Sequence, residues 1–126
     1  MVTEFLKNIL IVGAGSFVGG SARYAISLAL KGMEHCFPWA TLTVNLIGCF
    51  LIGLLYGLLA KTTDGTSEMT LFLTVGLCGG FTTFSTFSKE VLLMLQGGNL
   101  WLGTAYVVAS VVVGVLLTAL GIYVTR

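Results

Sequence analysis

The sequence predicts an all-α integral membrane protein of four transmembrane helices, the third interrupted, and three observations carry that expectation. The 126 residues are 56% hydrophobic and only 9% charged, with a mean hydropathy of +1.02; soluble domains carry about 25% charged residues. Four apolar stretches, each long enough for the ~20 residues of a spanning helix, are separated by short polar segments. The third contains Gly79-Gly80-Phe81-Thr82-Thr83-Phe84-Ser85-Thr86-Phe87-Ser88, a glycine pair, three aromatic rings and five hydroxyls that no continuous helix requires.

Residues 1–126 are read as one membrane domain with spans at about 5–30, 37–60, 69–96 and 100–125. The first includes the charge-free stretch Asn8–Ala22. Lys7 followed by an apolar run ending in small residues has the outline of a signal peptide, but three further spans favour a first membrane helix. Gly15 and Gly19 form a GxxxG pair, which lets a second helix approach closely. Beyond Lys7 near its start, Arg23 is the one charge within this span. It can snorkel to the headgroups and, compatibly, stand as a cation at a vestibule mouth that draws in anions.

The turn Lys31–Pro38 ends in the chain's one proline and is followed by Trp39, an interfacial residue type, before the second span begins. Thr41, Asn45 and Gly48 fall at i, i+4 and i+7, on one face. An amide in lipid either joins helices or lines a pathway, and Asn45 is open to both readings. Gly53 and Gly57 repeat the GxxxG spacing. A polar loop is expected at Lys61–Glu68. In the third span Gly76 and Gly80 form another close-packing pair. A break is expected near 79–83, because Gly-Gly weakens helix propagation while Ser and Thr can satisfy the backbone groups that a break frees. Phe84 and Phe87, at i and i+3, then share a face. Lys89-Glu90 reads as a solvated helix end, with the apolar run Val91–Leu95 carrying the helix to about Gln96. Beyond the turn Gly97-Gly98-Asn99, the fourth span sets Tyr106, Ser110, Gly114 and Thr118 at i, i+4, i+8 and i+12, a drifting stripe roughly 18 Å long. That stripe is either a packing seam or a ladder of O–H donors for an anion.

Several function classes are disfavoured by what the chain lacks. A net charge of +1 without a Lys/Arg cluster gives nucleic acid no surface to bind. Cys36, Cys49 and Cys78 show neither CxxC spacing nor an even number, and read as small hydrophobes. His35 beside Cys36, even with Glu34, cannot complete a four-ligand metal site. The single His lies in a turn, so no nucleophile–base pair is available and no enzyme is expected. No carboxylate or lysine is expected in the middle of a span, where proton- or cation-coupled transporters place one. The spans offer neutral donors instead: hydroxyls, an amide and the positive edges of rings.

Charge also bears on assembly. Four spans put both termini and the 61–68 loop on one side, with Lys7, Lys61 and Arg126; the other side has Arg23, Lys31 and Lys89. Three against three gives the positive-inside rule no preference. A chain without preference inserts both ways, and four short helices with three GxxxG pairs are too few to enclose a pathway. An antiparallel, dual-topology homodimer is therefore expected.

The run Gly76-Leu77-Cys78-Gly79-Gly80-Phe81-Thr82-Thr83-Phe84-Ser85-Thr86-Phe87-Ser88, with Thr41-Leu42-Thr43-Val44-Asn45-Leu46 and Arg23 upstream, resembles the Fluc fluoride-channel family, also called CrcB-like proteins. The resemblance extends from Gly13 to Thr118. It implies a dual-topology antiparallel dimer with two pores, passing fluoride passively across the bacterial plasma (inner) membrane and lowering its cytoplasmic level. It implies that Phe84 and Phe87 turn ring edges toward fluoride, that Asn45 lines the pore, and that Tyr106, Ser110 and Thr118 form a polar track. It further implies that Arg23 stands near the vestibule, and that backbone carbonyls of Gly79 and Thr82 from both subunits hold a structural Na+. Gly114 departs from members with a hydroxyl there, leaving a gap of about 12 Å between Ser110 and Thr118. The alternative is a small four-helix, dual-topology secondary transporter of the drug-exporter kind, which is disfavoured because the first span has no carboxylate beyond Glu4.

Overall fold

In a computed structural model, which describes residues 1–61 and 67–126, four helical spans are long and apolar enough to cross a membrane: Val2–Ala29, Trp39–Leu59, Glu68–Gln96 and Leu100–Val124. We refer to these as the first to fourth spans. Of the polar loop expected at Lys61–Glu68, residues 62–66 lie outside the described residues. Ser67 ends that segment by accepting the Thr70 N–H at 3.2 Å, a side-chain cap for one of the donors that a helix start leaves unpaired.

The spans pack as two pairs, the first against the leading part of the third and the second against the fourth. Glycine makes both contacts possible. A Cβ on Gly76 would lie 2.8 Å from the Val12 carbonyl oxygen and 2.9 Å from Gly15 Cα, and one on Gly80 would lie 2.7 Å from the Ser16 carbonyl oxygen. Two GxxxG pairs thus face each other, backbone on backbone. In the other pair, a Cβ on Gly121 would lie 2.6 Å from the Phe50 carbonyl oxygen. An exposed ion pair from Lys7 to Glu68 at 3.0 Å links the starts of the first and third spans, and a second joins Lys7 to Glu4 at 3.2 Å within the first; such pairs contribute about 0–1 kcal/mol.

The third span is not one regular helix. Its leading part runs through Glu68–Thr70, a π-wound stretch Leu71–Cys78 and a last α turn Gly79–Phe81; π winding is rare and recurs beside functional sites. Its trailing part is the helix Ser85–Gln96. Thr82 and Thr83 between them are not helical. Among the described residues few large side chains are fully buried within one chain, Val44 and Tyr106 being the largest, whereas Phe17, Phe84, Trp101 and Val115 are largely exposed. Those apolar faces need lipid or a second chain to cover them.

Candidate functional site

The break in the third span organises the site. Thr82 turns to extended backbone, with φ −91° and ψ 161°, so the amides beyond it cannot reach the carbonyls four residues back. Side chains take over. Asn45 Nδ2 donates to the Thr83 carbonyl at 3.0 Å, and the Thr83 N–H donates to Asn45 Oδ1 at 2.8 Å. Thr82 Oγ1 donates to the Cys78 carbonyl at 3.0 Å, and Thr83 Oγ1 accepts the Thr86 N–H at 3.3 Å. Arg23 Nε donates to the Gly80 carbonyl at 3.2 Å. The sequence left Asn45 between joining helices and lining a pathway; the amide clamps the break and also lines the cavity beside it. The Arg23 guanidinium is tied to the carbonyl end of the leading helix, where a cation suits the helix dipole, and this bond is compatible with both readings of Arg23.

Two consequences follow for the backbone. The Thr83 N–H is taken by Asn45 and the Thr86 N–H by Thr83 Oγ1. The carbonyls of Gly79 and Thr82 therefore lack the amide donor four residues on that a continuous helix would supply. They are hard oxygen acceptors at a break, the donor type that coordinates Na+ in unwound membrane helices. These residues fit a hard cation, though two carbonyls from one chain are too few to enclose it. Across the break, the trailing helix presents its positive N-terminal end, which favours an anion.

A cavity of about 440 Å³ opens beside the break, lined by Asn45, Gly48, Cys49, Cys78, Gly79, Thr82, Thr83, Phe84, Phe87 and Ser110 among others. Six of the residues singled out from the sequence are thus brought together: Asn45, Gly79, Thr82, Phe84, Phe87 and Ser110. The Phe84 and Phe87 rings are tilted at 5.8 Å. Phe87 meets Tyr106 edge-on at 5.0 Å, Tyr106 meets Phe37 edge-on at 5.2 Å, and Phe37 meets Trp39 at 4.6 Å. A run of five rings therefore leads from the cavity to the turn before the second span.

The fourth-span stripe divides by what its hydroxyls already bond. Tyr106 is completely buried and donates its O–H to Glu90 Oε1 at 2.8 Å. Thr118 Oγ1 lies 3.0 Å from the Cys49 carbonyl and 3.1 Å from that of Gly114, so its proton is held by backbone. Ser110 Oγ alone is buried without a hydrogen-bond partner, and it lines the cavity. Tyr106, Thr118 and Arg23 do not line it; Tyr106 abuts it through Phe87.

Two readings from the sequence need correcting. Glu90 is not a solvated helix end. The helix Ser85–Gln96 continues past it, and its carboxyl group accepts from Tyr106 and, at 2.9 Å, from Thr41 Oγ1. The third span consequently does contain a carboxyl group, facing the second and fourth helices. The signal was present as a spacing: Phe84, Phe87 and Glu90 succeed one another at i, i+3 and i+6, on one drifting face.

The family profile of CrcB-like proteins, described as Camphor Resistance (CrcB), matches residues 10–122. Over 123 residues the chain is 44% identical to the fluoride-specific ion channel FluC of Prosthecochloris aestuarii, covering 98% of this chain and 96% of that protein. The FluC proteins of Phocaeicola vulgatus, at 40% with 96% and 100% covered, and of Ruminiclostridium cellulolyticum, at 46% with 82% and 81% covered, are similar along comparable lengths.

Proposed function

The chain belongs to the CrcB-like protein family, and on that premise we propose that it is a passive fluoride-selective channel, two inverted copies forming a dimer with two pores in the bacterial plasma membrane. It is a channel and not an enzyme. The observation that carries the reading is the cavity at the break, which Ser110, Asn45, Phe84 and Phe87 line together.

Fluoride is small and strongly hydrated. Conduction needs donors that replace its water without holding it so firmly that it stays. A neutral O–H and an amide N–H provide directional contacts, and ring edges provide weak positive ones. The positive end of the trailing helix adds attraction without a mobile counter-charge. A membrane potential of about 100 mV, inside negative, drives an anion outward by about 2.3 kcal/mol per charge, so no coupling ion or nucleotide is needed. Glu90 does not revive the drug-exporter alternative, which the similarity to fluoride-specific channels does not favour.

Two inverted copies are favoured by the balanced charges and by the apolar faces left open in one chain. The exposed ring of Phe84 (77%) is among them. Pairing would double the set of Gly79 and Thr82 carbonyls released from helical bonding, and these would hold a structural Na+, whose charge would balance backbone acceptors between the pores. Reporter fusions to the C-terminus should report both orientations; a single one ends the dual-topology proposal. For the channel itself, fluoride efflux from proteoliposomes should appear when a potassium ionophore relieves the voltage, and should not require a proton gradient. Efflux that stops without such a gradient would point to a coupled transporter.

A further inference from the structure

The stripe on the fourth span has a gap at Gly114, and the second span fills it. Gly114 is buried, and a Cβ built there would meet one atom within 4 Å, the Sγ of Cys49 at 3.2 Å. The thiol therefore occupies the space that a hydroxyl side chain at position 114 would use. At this level the two helices are also tied by the Thr118 hydroxyl, which donates to the Cys49 carbonyl. Cys49 is partly exposed, and it lines the same cavity as Ser110. Ser110 lines the same cavity with its Oγ covered and without a hydrogen-bond partner, so the group this stretch of wall can offer is the Cys49 S–H, a weak donor.

We infer that Cys49 supplies the rung missing at Gly114, and that its thiol is a modification site inside the pathway for small, neutral thiol-reactive compounds. The inference rests on the fluoride-channel reading. Methyl methanethiosulfonate is a suitable probe. The Cys49 sulfur, after losing its proton to water, attacks the reagent's sulfenyl sulfur. The new S–S bond forms as the S–SO2 bond breaks and methanesulfinate leaves. The product carries a methylthio group where the S–H donor stood and fills the lumen beside Ser110.

The test uses the full chain in proteoliposomes, with fluoride efflux measured before and after the reagent. Efflux before treatment tests the channel reading; only the loss on treatment tests this one. The expected result is at least a tenfold loss, reversed by dithiothreitol, with the methylthio mass increment found on the Cys49 peptide. Chains carrying C36A or C78A should lose efflux as the wild type does. The residual efflux of C49A, or of C49S should the alanine variant fold poorly, should be indifferent to the reagent. Moving the hydroxyl across tests the rung: G114S alone should lose efflux through contact with Sγ, and C49A/G114S should regain it while resisting the reagent. The inference is overturned by an unlabelled Cys49, by labelled Cys49 with unchanged efflux, by C49A losing efflux like the wild type, or by C49A/G114S conducting no better than G114S.

Discussion

Asn45→Ala removes both hydrogen bonds that close the break, at 3.0 and 2.8 Å to the Thr83 carbonyl and amide. Leaving a buried backbone group unpaired costs about 1–3 kcal/mol, so the pair amounts to about 2–6 kcal/mol. Thr83 is only partly buried, and water reaching it would set the loss near the lower end. Even about 2 kcal/mol lowers the ratio of clamped to unclamped breaks roughly 30-fold. Fluoride efflux from proteoliposomes should therefore fall at least tenfold, and the purified protein should unfold at a lower temperature. Asn45→Asp separates the two bonds. It keeps an oxygen for the Thr83 N–H but gives the carbonyl no donor and adds negative charge beside the cavity. It should be more stable than the alanine variant and conduct no better. Wild-type efflux and an unchanged unfolding temperature in Asn45→Ala would refute the clamp.

The other predictions probe separate parts of the account. Phe84→Ile and Phe87→Ile keep apolar bulk but lose ring edges, so each should cut efflux by an order of magnitude with the purified protein's elution volume unchanged; normal rates in both would make the rings mere packing. Tyr106→Phe removes the O–H donated to Glu90 and should cost about 1–3 kcal/mol, read as a lower unfolding temperature with reduced efflux. Gly80→Val places a side chain where a Cβ already lies 2.7 Å from the Ser16 carbonyl oxygen, whereas Gly13→Ala meets nothing within 4 Å. The first should abolish monodisperse protein and the second should be neutral; equal behaviour would dismiss the facing glycine pairs. Exchanging Na+ for N-methylglucamine should lower both efflux and unfolding temperature, and indifference to the exchange would remove the cation from the break.

The parts of this fold that could be read from the sequence are those with local causes. Four spans follow from uninterrupted apolar runs, and the interruption of the third follows from Gly79-Gly80 and the hydroxyls after it, which weaken a helix and substitute for its bonds. Asn45, Phe84 and Phe87 could be singled out because an amide in lipid and two rings at i,i+3 need a reason nearby. The partners of those groups are set by tertiary packing, and there the sequence was silent. Nothing local says that Tyr106 spends its proton on Glu90, or that Thr118 bonds the backbone of Cys49. Seen along the chain, the stripe from Tyr106 to Thr118 is uniform; in space one member, Ser110, keeps its hydroxyl unpartnered. Glu90 was hidden by its neighbour, since Lys89 makes the pair look like a helix end, while the packing of the second and fourth spans gives the carboxyl group two donors.

The whole account depends on neutral donors and ring edges being enough to pass the smallest halide and turn away the next. Reversal potentials of the purified protein in planar bilayers, with fluoride on one side and chloride on the other, test this most directly. The potential should sit at the fluoride limit and stay there as chloride is raised; a potential that follows the chloride gradient would contradict it.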